Sequence, residues 1–332
     1  MAYLYSSCFG SYVLDDSFKV VEKLAFSNIV GANAMFEAGK WLPEEEALIA
    51  RHHPSVFIGV KKEKKDGIKC AADGALVEKL LPAVAGEMDS YFRANVAITK
   101  AKLKAAVGDD LLIIHTIDSI EALNKAINTV IKRLREWYEL YNPEFSRSVP
   151  DHKLFVETII KEDKTKLLGQ LGLSSDTTMG ADLKMEDLEP IMDIANRANE
   201  LYQLKAREEG YLEAKMKAVS PNVAAVAGYL IGAKLLAFAG SSKRLAELPS
   251  STIQLLGAEK ALFRHITRNS LPPKYGVLHE HPLITRARKE DHGKVARLLA
   301  DKISIAARVD YFKGEFMGDK MREDIEKRFR SM

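Results

Sequence analysis

Apolar and polar positions change period twice along the chain, and the changes divide it into three stretches. In the first, short β-type runs at 3–9, 12–14, 19–26 and 55–60 alternate with turns and with helical patterns at 32–37 and 44–51. Pro54 closes the second of those helices before the last strand. The pattern predicts a small mixed α/β domain, with 75–107 adding further helix, and it reads the lysine run 61–65 (KKEKK) as a solvated turn, with a phosphate-binding role as the alternative.

From Ile113 the period becomes heptad. Ile113, Ile117, Ile120, Asn124, Ile127, Ile131, Leu134, Tyr138 and Tyr141 follow at alternating spacings of 4 and 3, which predicts a coiled-coil helix. Asn124 is the polar exception, and it reads either as a register-fixing amide or as one tolerated in a long core helix. The helix is expected to stop before Asn142-Pro143, because the residue preceding proline avoids the α region. A polar stretch at 174–180 leads to a second amphipathic run, Leu188, Ile191, Ala195, Ala198 and Tyr202. Two such helices can pair with each other or across a dimer.

Ser220-Pro221 then opens a third stretch, with Ser as a favoured helix cap, Pro at the first helical position and Gly240 as a stop. The small-residue helix between them implies a tightly packed, all-helical module. Ser251 and Gln254 have capping-box spacing, Gly257 interrupts the helix they open, and a turn-rich segment precedes a final helix at 291–311. The predicted architecture is therefore multidomain and mainly α. A small α/β domain spans 1–112, an antiparallel coiled coil 113–219 and a helical domain 220–332.

The chemistry concentrates at 257–268, GAEKALFRHITR. On a helical wheel Leu262, Phe263 and Ile266 share an apolar face on which Glu259 also falls, needing a hydrogen-bond partner if buried. Lys260, Arg264 and Arg268 line the opposite edge at i, i+4 and i+8, where they repel one another unless an anion lies between them. The loop after it joins rigid turn residues to a cation, an aromatic and an imidazole: Lys274, Tyr275 and His279. That mixture suits stacking and phosphate contact with unpaired RNA. His279 and His281 lack a third ligand, so no metal site is expected.

Charge supports the same end of the chain. The 332 residues carry +3 overall, but from Ser220 onward 20 Lys and Arg face 12 Asp and Glu, a net of +8 that leaves −5 for the rest. A polyanion partner for the last domain follows from that asymmetry. With 47% apolar residues the chain is not largely disordered. Cys8 and Cys70 give no disulfide or zinc framework and fit a reducing, cytoplasmic setting. No basic segment precedes Lys19, so no secretory signal is expected, and Lys234 interrupts the apolar stretch 223–240, which reads as a buried helix and not a membrane span. Dinucleotide, P-loop, zincin and nucleophile-elbow motifs are all missing, so the sequence offers no catalytic residues.

The run SPNVAAVAGYLIGAKLLAFAGSSKRLAELPSSTIQLLGAEKALFRHI followed by PPKYGVLHEHPLI closely resembles the Nop domain of the box C/D ribonucleoprotein core family, and IDSIEALNKAINTVIKRLREWYELYNPEF resembles that family's coiled coil. One compact copy without a lysine-rich tail looks like the archaeal form. The resemblance implies a non-enzymatic scaffold without its own cofactor. Its N-terminal domain would dock fibrillarin, a methyltransferase using S-adenosylmethionine. Its coiled coil would make a homodimer, here through Ile117, Ile120, Asn124, Ile127, Ile131 and Leu134. Its Nop domain would bind a box C/D guide RNA kink-turn already held by a ribosomal-type kink-turn protein, directing 2′-O-methylation of rRNA or tRNA. The GAEK motif falls on Gly257, Ala258, Glu259 and Lys260, and ALFR on Ala261, Leu262, Phe263 and Arg264. The resemblance places this helix against RNA, its tip at the end of the guide duplex, with Lys274, Tyr275 and His279 in an RNA-facing loop. A spliceosome-type Nop protein, an enzyme with a cryptic carboxylate site and a coiled-coil scaffold that ignores RNA are the rival readings.

Overall fold

The computed structural model describes residues 2–59, 61–71, 74–84, 87–268 and 270–330. The chain forms two compact units, Met1–Val107 and Gly108–Met332.

The first unit runs β1 (Tyr3–Ser6), β2 (Gly10–Leu14), β3 (Val20–Ala25), α1 (Ile29–Glu37), α2 (Pro43–His52), β4 (Val56–Ile58), β5 (Lys69–Ala71), α3 (Gly74–Val84) and α4 (Met88–Ala105). The sheet order is β3-β2-β1-β4-β5, antiparallel from β3 to β1 and parallel from β1 to β5. Leu4, Val13, Leu48 and Phe57 form the core between this sheet and α2. The further helix that the pattern predicts over 75–107 forms as two helices, and β5 is too short and polar to register as a strand in sequence.

The lysine run departs furthest from expectation. Lys62 turns inward, and its amine donates to Glu45 Oε1 at 2.6 Å with both side chains fully buried. The rings of Phe36, Trp41 and Phe57 lie 4.7, 5.1 and 4.9 Å from that amine. Glu45 also accepts from Ser6 Oγ at 2.6 Å and from the Leu42 backbone amide at 2.9 Å, which closes the first turn of α2. Burial pulls the Lys62 ammonium below its ordinary value, and the Glu45 carboxylate opposes that shift.

The second unit is all helical: α5 (Asp109–Tyr138), α6 (Pro143–Ser148), α7 (His152–Lys161), α8 (Lys164–Gln170), α9 (Met185–Val219), α10 (Pro221–Ala227), α11 (Tyr229–Ala239), α12 (Ser242–Glu247), α13 (Ser250–Leu255), α14 (Glu259–Arg268), a 3₁₀ turn at Val277–Glu280, α15 (Pro282–Arg286), α16 (His292–Tyr311) and α17 (Gly318–Arg330). The molecule is thus mainly helical with a small N-terminal α/β unit. Helices α5 and α9 run antiparallel, since Asp109 at the start of α5 pairs at 2.7 Å with Lys215 near the end of α9, while Tyr138 shares a core with Ile191.

The heptad positions are all spent on that pairing. Ile113, Ile117 and Ile120 pack with Leu212 and Met216, and Ile127, Ile131, Leu134 and Tyr138 pack with Ile191, Ala195 and Ala198. Asn124 is half-buried between the two clusters. Ile117, Ile120, Ile127, Ile131 and Leu134 are at most 2% exposed within one chain, so these residues with Asn124 are an intramolecular seam and not a dimer seam. The physical reason is that the rest of the chain covers the stripe: α9 runs along α5, α11 packs at the Ile113–Ile120 end, and Phe155 of α7 packs on Tyr138 at the other. At the far end Arg135 gathers the return segment, donating to the carbonyls of Ser146 at 2.5 Å and Val149 at 2.7 Å and to His152 Nδ1 at 3.0 Å. Pro143 opens α6 there, with Asn142 Oδ1 capping the Phe145 amide at 3.2 Å.

The apolar stretch after Ser220-Pro221 is two helices and not one. Gly228 adopts φ 80°, ψ 155°, and α10 and α11 diverge by 116° at that point. This region of backbone space belongs almost to glycine alone. Gly228→Ala is expected to cost about 1–3 kcal/mol of stability, read as a lower urea midpoint for the helical unit; an unchanged midpoint would remove the strain argument. Among the described residues no single helix is long and apolar enough to cross a membrane. Gly240 ends α11 in the left-handed conformation, as the sequence predicts. The predicted capping box of α13 is not made: the helix starts after Pro249, and the Gln254 amide donates to the Lys274 carbonyl at 2.7 Å.

Candidate nucleic-acid interface

Helix α14 stands clear of the core. Glu259 is exposed, not buried, and its Oε1 accepts from the Gly257 amide at 2.7 Å. Ala258 and Ala261 are half-buried at the base of the helix. Lys260, Arg264 and Arg268 are exposed and make no ion pair among the described residues. The only side-chain contact of the three is Arg264 Nε to the Lys260 carbonyl at 3.4 Å, a long bond. The opposite face is open as well. No residue of α14 is buried, Phe263 and Ile266 are 65% and 72% exposed, and Leu271 just beyond is 91% exposed. The apolar spacing that predicts a packed face therefore marks a face left uncovered by this chain. Leu262, half-buried, is the part nearest the body.

The loop that follows is clamped to the end of α13. The Gly276 amide donates to the Gln254 carbonyl at 2.9 Å and the Val277 amide to the Leu256 carbonyl at 2.8 Å. A Cβ at position 276 would fall 1.8 Å from the Leu256 oxygen, so only glycine permits that approach. Lys274 is exposed, makes no ion pair among the described residues, and its side chain lies against Gly293 at the start of α16. Tyr275 is half-buried, stacked on His279 with ring centroids 5.3 Å apart, and its hydroxyl lies 3.3 Å from His292 Nδ1. His279 is the exposed ring of that stack, so an incoming base would meet it before Tyr275.

Four further cations escaped the sequence reading. Arg286, Arg288, Lys289 and Arg297 are exposed near the turn that carries the loop, and none makes an ion pair among the described residues. The run RARK beside the loop was the available signal, and it was hidden because charge runs are usually solvated faces. His281, by contrast, is structural. Its Nδ1 accepts from the Leu283 amide at 3.2 Å as the cap of α15, and burial pushes its imidazole below the usual value, with the Arg322 charge acting the same way. A histidine depressed in the folded state stabilises fully above its unfolded value near 6.5 and loses that contribution as pH falls. The melting temperature is thus expected to fall on acidification below about pH 6.5, with a shallower fall in His281→Asn.

Residues 119–331 match the Nop family, described as snoRNA binding domain, fibrillarin. The chain belongs to the Nop family. It is 38% identical over 249 residues to a NOP5 family protein of Methanocaldococcus jannaschii, covering 70% of this chain and 60% of that protein. It is 33% identical over 305 residues to human nucleolar protein 56, covering 82% and 51%. It is 36% identical over 264 residues to nucleolar protein 58 of Aspergillus fumigatus, covering 75% and 44%. The chain spans about half the length of these curated relatives. A chain of a solved fibrillarin/Nop5p complex is similar over 99% of each chain at 23% identity, with a TM-score of 0.44. Helix α14 and its following loop lie inside the Nop segment, as do the seam residues from Ile120 onward, whereas the α/β unit lies outside it.

Proposed function

We propose that this Nop-family chain is a non-enzymatic scaffold of a box C/D guide ribonucleoprotein. The helical unit would hold a guide-RNA kink-turn already occupied by its kink-turn protein, and the α/β unit would dock fibrillarin, which brings the S-adenosylmethionine chemistry of 2′-O-methylation. The cytoplasm of an archaeal-type cell suits such a particle. Any homodimer would meet on the outer faces of the coiled coil, because its seam is closed.

One observation carries the reading. A single helix offers unpaired cations on one edge and uncovered apolar side chains on the other, beside a loop with a free lysine and an exposed imidazole stack. RNA suits both faces at once. Phosphates neutralise Lys260, Arg264, Arg268 and Lys274, and base surfaces cover Phe263 and Ile266 at about 1–3 kcal/mol per stacked base.

The test is a gel shift on a box C/D kink-turn RNA, with and without the kink-turn protein, across a salt series. Retention should require that protein, and log K should fall against log salt with a slope steeper than about −2, given roughly 0.7–0.9 per phosphate contact. Retention on a spliceosomal kink-turn alone would favour the splicing relative. No shift under any condition would remove the scaffold reading and leave a coiled-coil protein that ignores RNA.

A further inference from the structure

The lysine loop of the α/β unit has no role in that reading. Residues 61–69 hold five lysines against Glu63 and Asp66. Lys62 is consumed inside by Glu45, and Lys65 is paired with Glu46 at 3.1 Å. Lys61, Lys64 and Lys69 are exposed and make no ion pair among the described residues, although Lys23, Arg51 and Lys102 of the same unit are all paired. The loop lines a concavity of about 520 Å³ together with Gly67, Ile68 and the exposed Cys70.

A solvated lysine run would be mobile, and this one is held. Beyond the buried Lys62, the Glu63 amide donates to the Gly39 carbonyl at 2.9 Å, and Trp41 Nε1 donates to the Glu63 carbonyl at 3.0 Å. The Lys69 amide donates to the Ser55 carbonyl at 3.0 Å, tying the far end to the sheet. Of the unpaired lysines Lys61 and Lys64 line the hollow, beside the paired Lys62 and Lys65 and against the single carboxylate of Asp66, while Lys69 lies outside the lining. The unpaired like charges repel each other, and a bound polyanion relieves that repulsion.

We propose that this concavity is a second RNA contact, which grips the phosphodiester backbone of a strand in the assembled particle. The inference rests on the scaffold reading above and adds a site in a unit to which that reading gives only protein docking. The chemistry favours a nucleic-acid backbone over an acidic protein surface. Among the described residues Ile68 is the only large apolar side chain in the lining, whereas protein interfaces depend on buried aromatic or apolar anchors.

Cys70 supplies the probe. The full chain carrying Cys8→Ser is labelled at Cys70 with an azido photo-crosslinker, assembled with the kink-turn RNA and the kink-turn protein, and irradiated. Crosslinks should reach RNA. Independently, Lys61→Gln/Lys64→Gln should lower the salt slope of RNA binding by about 1.5, from roughly 0.7–0.9 per lost contact, while the complex still forms. Crosslinks only to protein, or none in a complex that does form, together with an unchanged slope, would overturn the proposal. The failure of the scaffold reading looks different, since unlabelled chain would then form no complex at all. Crosslinking is read with the native lysines in place, so an unfolded double variant would not decide the matter.

Discussion

Reversing Lys260 and Arg264 to Glu is expected to weaken assembly on kink-turn RNA by at least about 100-fold, because two charge-assisted contacts of about 1.5–3 kcal/mol each are lost and replaced by repulsion. The same change should leave the melting temperature within about 2 °C, since exposed substitutions stay near ±0.5 kcal/mol. Both side chains are exposed without an ion pair among the described residues, and the one bond lost, Arg264 Nε to the Lys260 carbonyl at 3.4 Å, is long. Phe263→Ala with Ile266→Ala separates the other face: affinity should fall while the salt slope stays constant, because no phosphate contact is touched. Loss of helical circular dichroism in the Glu variant would show that the ridge is structural, and the RNA reading of α14 would go with it.

What was legible in the sequence follows from how each position earns its burial. The heptad seam was readable because one helix buries one stripe, and the spacing alone locates Ile113 to Tyr138. Its partner was not readable, since a stripe that fits α9 fits a second copy equally well, and only the packing of α9, α11 and α7 on α5 closes it within the chain. The face of α14 misled for a related reason. Amphipathic spacing reports that Leu262, Phe263 and Ile266 share a side, but it does not report whether this chain or a ligand covers it. Gly228 was hidden because glycine among alanines reads as a small packing residue, when its backbone angles break the helix. Helix α17 escaped because its apolar contacts with the core, Met321, Ile325 and the partly buried Phe329, are scattered through a heavily charged sequence. The cationic ridge was legible because its chemistry lies in residue type and spacing, which survive without coordinates.

Lys62 is the largest misreading, and it carries the second large effect. Lys62→Met is expected to destabilise the α/β unit by about 3–5 kcal/mol, because it strands the Glu45 carboxylate in a fully buried site. Ser6 and the Leu42 amide would still donate to that carboxylate, but neither supplies the compensating charge. Trp41 reports the unit directly: its ring lies 5.1 Å from the lysine amine, and a Trp137→Phe background silences the other tryptophan. The Trp41 fluorescence transition should move to markedly lower urea, while the helical unit, followed by circular dichroism, stays near its original midpoint. Adding Glu45→Gln should recover part of the loss, because a neutral amide can still accept from Ser6 and no longer needs a cation. If the single variant unfolds at the same urea concentration as the parent, the pair is solvated in solution and the loop is not held from within. The lysines on either side would then be the mobile, solvated turn that their composition suggests. The buried pair and the presentation of Lys61, Lys64 and Lys69 are thus one arrangement: a charge turned inward fixes the backbone that aims the other charges outward.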